Sequence, residues 1–356
     1  MASPRPIRLL ILALFALALY QGFPLVGRWA DYVRQTNPLS GQSEVEQSFV
    51  ATAEERACLH GASAGDEGPI PNIVHFVYLQ HLPPRGSDSG DFGLVEYLAV
   101  RAAMVSMQPE AIYVHYRYTS GNSALLAEME AQDEQGGGMM RQNPWLRRLS
   151  PHIKLERYSG PVKHWLKHAA HMADEMRLRI LLELGGVYLD LDVFALRPWD
   201  ELRRSRGVVL GHEGGNRGGL CNAVVAARAG SDFIKEWLAT YSEADLDAEW
   251  NYHGVVVPKQ LASRGGVCAL APDAFFWPTW TWRHVRYMHR VLDGEEARAW
   301  RASMERWEGG GWEGQVAYHA WGQMAAKDLQ RLTVGRVRGE ETRFNLLVRR
   351  FLEDDL

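Results

Sequence analysis

The order of apolar and polar positions along the chain predicts strands and helices in alternation. Runs of β-branched and aromatic residues are typical of buried strands, and they occur at residues 73–79, 111–118, 153–158, 187–193 and 207–212. Apolar residues at helical spacing predict helices at residues 94–107, 165–184, 231–241 and, amphipathic and short, 340–352. Strands that alternate with helices favour an α/β domain with a mostly parallel sheet.

The first residues predict a protein that is directed to a membrane. An apolar run from Leu9 to Val26 follows Arg5 and Arg8, and its length is near the minimum for a helix that spans a bilayer. Basic residues on the leading side favour a cytoplasmic N-terminus and a translocated body. We expect a cytoplasmic tail and signal-anchor over residues 1–29; a cleaved signal peptide and an ordinary buried helix are the alternatives.

Composition is that of a folded globular chain. The 356 residues are 46% hydrophobic and 23% charged, and no repeat or second domain is evident. The mixed, polar residues 30–69 predict a stem or linker, residues 70–335 the ordered domain and residues 336–356 a C-terminal helix. A net charge of −4 gives no general electrostatic reason to expect a nucleic-acid partner. Three cysteines allow at most one internal disulfide.

Two aspartates, Asp190 and Asp192, interrupt the apolar run at residues 187–193. Carboxylates are costly to bury unless something pairs with them, and residues two apart in a strand project to the same side. At the carboxyl end of a strand, where α/β sheets bind ligands, such a pair suits Mg²⁺ or Mn²⁺. The alternative is a solvated pair at the end of a strand.

A second polar pair, Asp174 and Arg177, lies three residues apart on the preceding predicted helix. The two side chains share one helix face, and the turn at Gly185-Gly186 leads from this helix directly into the aspartate strand. The face therefore lies close to the same crevice. An ion pair on the helix surface is the alternative reading of this pair.

The run ADEMRLRILLELGGVYLDLDV, residues 173–193, resembles the sugar-binding region of glycosyltransferases with the DXD motif. This family includes fungal mannosyltransferases, α-1,4-galactosyltransferases and the catalytic domains of clostridial glucosylating toxins. Its Asp, the Arg three positions later, the Gly-Gly and the strand that ends in Asp-x-Asp all have counterparts here. IPNIVHFVYL at residues 70–79 is similar to the family's opening strand, and AYHAW at residues 317–321 is similar to its C-terminal His and Trp.

The resemblance implies an A-type glycosyltransferase fold, a single Rossmann-like domain preceded by the membrane anchor, with residues 70–335 as the catalytic domain. By the same resemblance Asp192 would bind the metal directly, and Asp190 would contact ribose or donor sugar and the water shell of the metal. Asp174 and Arg177 would hold hydroxyls of the transferred sugar. His319 would complete the metal site, unless it is a partly buried histidine bonded to backbone.

Three further residues are candidates for donor binding. The family often has tryptophan where this chain has Tyr78, so the resemblance implies that Tyr78, with Val77 beside it, contacts the nucleotide base by stacking. Asn222, after the glycines at residues 218–219, faces the donor sugar as a neutral hydrogen-bonding group or forms part of a tight turn. The aromatic run FFWPTWTW at residues 275–282 offers either platforms for acceptor sugars or core packing.

The expected function is a metal-dependent, retaining glycosyltransferase that moves a hexose from a UDP- or GDP-sugar to a lumenal glycan, glycolipid or protein. Mn²⁺ or Mg²⁺ is the expected cofactor, and the expected location is the Golgi membrane, as a single-pass type II protein. A noncatalytic lectin-like or chaperone subunit with the same fold is the alternative, although its mark would be loss of Asp-x-Asp. A phosphoryl-transfer enzyme would need a Gly-rich phosphate loop with lysine, and no such motif occurs in the sequence.

Overall fold

The computed structural model describes residues 44–60, 68–82, 91–136, 138–161, 169–205, 207–241 and 251–356. The expected signal-anchor at residues 1–29 lies outside these ranges, so its structure is not described. In the part of the chain given by these ranges, none of the helices is both long enough and apolar enough to cross a membrane.

Seven strands form the main sheet, and their mostly parallel arrangement confirms the prediction. The strand order is β3-β2-β1-β4-β7-β6-β8, where the strands are β1 (Ile73–His81), β2 (Ala111–Thr119), β3 (Lys154–Arg157), β4 (Gly186–Leu189), β6 (Val208–Glu213), β7 (Gly219–Ala227) and β8 (Val267–Leu270). Only the β4–β7 and β7–β6 pairs are antiparallel. A separate antiparallel pair consists of β5 (Val193–Ala195) and β9 (Ala317–His319).

Helices cover both faces of the main sheet. Along β1 the side chains alternate between two apolar cores, with Phe76 in one and Val77 in the other, as expected for a strand that is buried on both faces. The α-helices within the described ranges are α1 (Ala53–His60), α2 (Leu94–Met107), α3 (Ser123–Glu134), α4 (Met139–Gln142), α5 (Pro144–Leu149), α6 (Ala169–Leu184), α7 (Asp200–Arg203), α8 (Asp232–Thr240), α9 (Val257–Ala262), α10 (Trp282–His289), α11 (Gly294–Arg306), α12 (Ala326–Leu329), α13 (Val334–Gly339) and α14 (Arg343–Val348).

Two elements that matter for function differ from the prediction. The run at residues 187–193 is not one strand: β4 ends at Leu189, β5 begins at Val193, and Asp190–Asp192 form the turn between them. The chain turns here because β4 belongs to the main sheet, whereas β5 pairs with β9. Asn222 does not precede a strand but lies within β7, which begins at Gly219.

The two ends of the described body also differ from the expectation. Residues 53–60, expected in the linker, form α1 and belong to the compact unit Ser48–Leu356. Helix α1 packs against β8, and its buried Glu55 pairs with Arg217 at 2.7 Å. Residues 340–352 are not one helix, because α14 is followed by a 3₁₀ turn at Arg349–Phe351.

Candidate active site

A cavity of about 670 Å³ opens at the carboxyl end of β4, between the two sheets. The sequence predicts eight site residues, and the structure brings six of them together in its walls. These six are Asp174, Arg177, Asp190, Asp192, Asn222 and His319. They come from α6, from the turn after β4, from β7 and from β9, so four separate parts of the chain meet where the resemblance implies a donor site.

The turn that carries the two aspartates is pinned from both sides. The backbone N–H of Asp190 donates to the carbonyl of Ala223 in β7 at 2.9 Å, and the N–H of Ala320 donates to the carbonyl of Asp192 at 2.9 Å. Within the turn, the N–H of Val193 donates to the carbonyl of Asp190 at 2.9 Å. The main sheet and the small sheet therefore both fix the backbone that presents the carboxylates.

The C-terminal segment completes the acidic group. Nε2 of His319 lies 3.3 Å from Oδ1 of Asp192, and the N–H of Gly322 donates to Oδ2 of Asp192 at 2.6 Å. Trp321, between these two residues, has a left-handed backbone with φ of +55°, and its indole donates to the carbonyl of Pro278 at 2.7 Å. Such a conformation is uncommon for a bulky residue and here it aims the next N–H at the carboxylate.

The charges of this group influence one another. Burial raises the pKa of Asp190, and the neighbouring Asp192 raises it further, while Arg177 opposes both effects. Burial also acts to raise the pKa of Asp192, but His319 and the Gly322 N–H outweigh it, so that this pKa lies below its usual range. Asp192 raises the pKa of His319 against the effect of burial. Asp192 is therefore the carboxylate that is held most firmly in its charged form.

Arg177 is committed to the protein rather than left free for a sugar. Its guanidinium lies 3.0 Å from Oδ1 of Asp174 and 3.1 Å from Oδ1 of Asp190. It also donates to the carbonyls of Asn222 at 2.7 Å and Ala173 at 3.3 Å. These four contacts use most of its five N–H groups. Arg177 therefore fixes α6 against the end of β4 and balances the charges of the buried Asp174 and the partly exposed Asp190.

Asp174 and Asn222 form a polar pair on the wall that Arg177 supports. The amide nitrogen of Asn222 donates to Oδ1 of Asp174 at 2.8 Å, and this oxygen also faces Arg177. Both side chains line the cavity, where the Asp174 carboxylate also faces the hydroxyl of Tyr241. Oδ2 of Asp174 and the amide oxygen of Asn222 are the two acceptors that this wall can offer. Two such acceptors can receive hydrogen bonds from neighbouring hydroxyls of a sugar.

A buried histidine pair supports the turn that leads into the site. Nε2 of His75 lies 2.9 Å from the carbonyl of Gly185, and its Nδ1 lies 3.0 Å from Nε2 of His115. Because a carbonyl only accepts, Nε2 of His75 carries the proton, and His115 donates to Nδ1. Burial lowers the pKa of His75 to about 4 and that of His115 to about 3, so both rings are neutral at neutral pH.

Tyr78 and Val77 lie outside the walls of the cavity as the described residues define it. Tyr78 is 7% exposed, its ring meets Phe92 edge-on with centroids 5.5 Å apart, and its hydroxyl donates to Gln80 at 3.1 Å. Val77, also 7% exposed, packs in the core on the other face of β1. A contact of either residue with a nucleotide base stays a prediction.

Asp190, Asp192 and His319 fit a divalent cation. The atoms that they would offer all lie within 4.8 Å of one another. Hydrogen bonds and ion pairs occupy Oδ1 of Asp190 and Oδ2 of Asp192, which leaves Oδ2 of Asp190 to offer. Oδ1 of Asp192 faces Nε2 of His319 at 3.3 Å, and a cation bound by both atoms would replace this contact. Two carboxylate oxygens and an imidazole form a donor set suited to Mn²⁺ and, less well, to Mg²⁺, which prefers oxygen ligands.

Glu213 and Trp280 line the same cavity, although the sequence does not single out Glu213. Glu213 ends a strand that reads only as apolar, so no motif marks it.

Trp280 belongs to the aromatic run at residues 275–282, and the structure divides that run. Phe275, Phe276 and Trp277 are fully buried, whereas the side chain of Trp282 is 67% exposed. The first part of the run therefore packs in the core, and its end lies on the surface.

Comparison with known proteins assigns the chain to a family. Residues 127–208 match the family model described as glycosyltransferase sugar-binding region containing DXD motif. The chain is 32% identical over 300 residues to Glucan organizing enzyme 1 of Cryptococcus neoformans var. grubii, an alignment that covers 80% of this chain and 71% of that protein. The chain therefore belongs to the glycosyltransferases whose sugar-binding region contains the DXD motif, and it is a transferase.

Several solved structures are similar to this one at low sequence identity. PaToxG glycosyltransferase is 12% identical, with 84% of this chain and 91% of that chain covered and a TM-score of 0.40. The glycosyltransferase GlyE of Streptococcus pneumoniae TIGR4 is 9% identical, with 70% and 54% covered and a TM-score of 0.36. Mouse xyloside xylosyltransferase 1 is 11% identical, with 69% and 97% covered and a TM-score of 0.35.

Proposed function

We propose that the protein is a metal-dependent glycosyltransferase that moves a hexose from a UDP- or GDP-sugar to an acceptor hydroxyl, and that its domain has the A-type glycosyltransferase fold. One observation carries the proposal. A metal-binding group of Asp190, Asp192 and His319 shares a cavity with the polar pair Asp174 and Asn222. A nucleotide sugar has a diphosphate at one end of the reacting bond and a ring of hydroxyls at the other, and the cavity offers a partner for each.

The residues of the site divide the work between these two ends. A divalent cation held by Asp190, Asp192 and His319 would supply positive charge for the departing diphosphate. Asp174 and Asn222 accept hydrogen bonds from the hydroxyls of the sugar and set its orientation. Arg177 holds Asp174 and Asp190 at 3.0 and 3.1 Å, and such preorganisation lowers the cost of reaching the transition state. The family resemblance supports retention of the anomeric configuration.

The proposed location is the Golgi membrane, with the body in the lumen as a type II protein. The apolar run at residues 9–26 behind Arg5 and Arg8 supports an anchor of this orientation. Cys268 is disulfide-bonded, as is usual in the oxidising secretory pathway. Protease treatment of sealed microsomes tests the topology: the body is expected to be protected, and its digestion without detergent would contradict a lumenal location.

The acceptor is proposed to be a lumenal glycan, glycolipid or protein. The name of the fungal relative, Glucan organizing enzyme 1, makes glucan oligosaccharides the first acceptors to test.

The function is tested by a donor screen with the purified chain. UDP- and GDP-hexoses are incubated with Mn²⁺, with Mg²⁺ or with EDTA, and release of the nucleoside diphosphate is measured with and without acceptor. One donor is expected to be consumed in a reaction that EDTA abolishes and Mn²⁺ restores. If no donor is consumed while UDP or GDP still binds with Mn²⁺, the chain is a binding subunit and the proposed transfer activity is wrong.

A further inference from the structure

Glu213 is a third carboxylate site in the cavity, separate from both groups described above. It ends β6, where it lies opposite Gly219 of β7, and it lines the cavity. It is not part of the cluster of Asp190, Asp192 and His319 that could hold an ion. In the part of the chain that the structure describes, no Lys, Arg or His lies within 4.0 Å of its carboxylate.

The surroundings of Glu213 orient the carboxylate but do not neutralise it. Gly211 lies opposite Cys221 in the β6–β7 register, so Cys221 is a diagonal neighbour of Glu213 on the same face. The thiol of Cys221 and the indole of Trp280 both lie beside the carboxylate and help to stabilise its charged form. Burial raises the pKa of Glu213, while Cys221, His319 and Trp280 lower it in that order.

A buried carboxylate without a cation close to it contributes little to the stability of the fold. Burial penalises its charged form, and a glutamine would fit beside Cys221 and Trp280 without that penalty. Perturbed carboxylates in a cavity are common at catalytic positions. The position therefore favours a partner that brings positive charge.

On the basis of the proposed function, we propose that Glu213 is a catalytic carboxylate that contacts the donor sugar near its anomeric carbon and stabilises the positive charge that develops there. The bond from the anomeric carbon to the diphosphate oxygen breaks, and its electron pair leaves with the diphosphate. The acceptor hydroxyl oxygen forms the new bond to the same carbon, and its proton passes to the departing diphosphate. Glu213 forms no bond in this step and stays a carboxylate throughout.

The placement of the three groups supports this role. The ion cluster takes the diphosphate side of the reacting bond, and Asp174 with Asn222 takes the hydroxyls of the ring. Glu213 approaches from β6, and it is the carboxylate among the described wall residues that belongs to neither of these groups. Glycosyl transfer passes through an oxocarbenium-like state, and preorganised charge in a cavity that excludes water is an effective way to stabilise such a state.

The test compares Glu213→Gln with Glu295→Gln, a control at an exposed position in the first turn of α11. For Glu213→Gln we expect kcat to fall by about a hundredfold or more, with the affinities for Mn²⁺ and for UDP or GDP unchanged in calorimetry. The control is expected to keep its kcat. Glu213→Ala is then assayed with added formate, which is expected to recover part of the lost rate by placing a carboxylate in the vacated space.

Two results would overturn the role of Glu213. The first is a Glu213→Gln enzyme that keeps its kcat, and the second is a parallel loss of kcat and nucleotide affinity, which would make Glu213 part of the binding site for metal and nucleotide. If glutamine prevents folding, as judged by circular dichroism, absence of formate rescue in a folded Glu213→Ala enzyme contradicts the role. Failure of the proposed function is seen separately, as absence of donor consumption by the unmutated protein.

Discussion

The N–H of Gly322 donates a hydrogen bond of 2.6 Å to Oδ2 of Asp192, across 130 positions of the chain. A Cβ atom added at Gly322 would lie 2.9 Å from that same oxygen, closer than real Cβ atoms come to their neighbours. Glycine at this position therefore serves two needs at once, the approach of the backbone to the carboxylate and the absence of a side chain between them.

Gly322→Ala is expected to displace the carboxylate of Asp192 and to weaken Mn²⁺ binding about tenfold, with a small effect on stability. The physical reason is that the whole carboxylate of Asp192 must move by several tenths of an ångström, and metal sites depend on ligand geometry. Isothermal titration with Mn²⁺ measures the effect. Gly335→Ala is the control, since a Cβ there meets nothing within 4 Å; equal Mn²⁺ affinity of both variants would contradict the prediction.

Asp192→Asn is expected to weaken binding of Mn²⁺ and of nucleoside diphosphate together and to lower turnover by about a hundredfold or more. An amide oxygen is a poorer ligand for a hard cation than a carboxylate, and the lost charge acts directly on the departing diphosphate. Calorimetry with UDP or GDP and Mn²⁺ gives the affinities. Asp200→Asn, at a largely exposed position, is the control. Unchanged metal and nucleotide binding by Asp192→Asn would show that the aspartates form a turn without a role in metal binding.

Asp174→Asn is expected to behave differently from Asp192→Asn. Its amide oxygen can still accept from Asn222 and Arg177, but Oδ2 is replaced by a donor, so a hydroxyl of the sugar loses its acceptor. The KM for the nucleotide sugar should rise about tenfold, while the affinity for UDP or GDP with Mn²⁺ stays the same. A variant that loses affinity for the nucleoside diphosphate alone would show that Asp174 belongs to the metal side of the cavity.

Arg177→Met is expected to lower the free energy of unfolding by about 3 kcal/mol, because it leaves the buried Asp174 and the partly exposed Asp190 without their partner. The side chain of Arg177 is only 5% exposed, and those of Asp174 and Asp190 are 11% and 27% exposed. Urea unfolding at neutral pH measures the loss. Arg336→Met, which breaks an exposed pair with Glu340, should change stability by less than about 1 kcal/mol, and similar losses in both variants would contradict the assignment.

The histidine pair predicts a loss of stability in acid. Its pKa values of about 4 for His75 and about 3 for His115 in the folded protein lie below the value of about 6.5 expected in the unfolded chain. The unfolded state therefore binds more protons between pH 6.5 and 4, so stability is complete above about pH 6.5 and decreases as the pH falls through this window.

Urea unfolding between pH 7.5 and 4.5 measures this dependence. His75→Gln is expected to be less stable at neutral pH and to show a shallower decline in acid than the unmutated protein, since it lacks one of the titrating groups. His152→Gln, at an exposed site, should keep the original slope. The same slope for His75→Gln and the unmutated protein would show that other groups dominate acid unfolding.

Much of the fold follows from the order of apolar residues. Strand β1 and helix α2 lie where the pattern places them, because a strand buried on both faces and a helix with a continuous apolar face have strong local signals. The division of residues 187–193 into two strands does not follow from the pattern. It depends on the pairing of β5 with β9, more than a hundred residues away, and local periodicity carries no information about such a partner.

The candidate site, like the fold, follows from the sequence only in part. Asp174, Arg177, Asp190 and Asp192 belong to one continuous motif, so their spacing predicts that they lie together, as the structure has them. The commitment of Arg177 to four protein acceptors, however, is visible only in three dimensions. Glu213 stays hidden in the sequence because an isolated glutamate at the end of an apolar strand resembles any solvated strand end.

The pairing of β5 with β9 also determines how much of the chain must be synthesised before the candidate site is complete. All seven strands of the main sheet precede residue 271, yet His319 and Gly322, which hold Asp192, follow it. A polypeptide released before residue 317 would carry the whole main sheet and the Asp-x-Asp motif but lack one side of the ion site. On the proposed function, we expect such a truncated product to lack donor turnover even where its main sheet is complete.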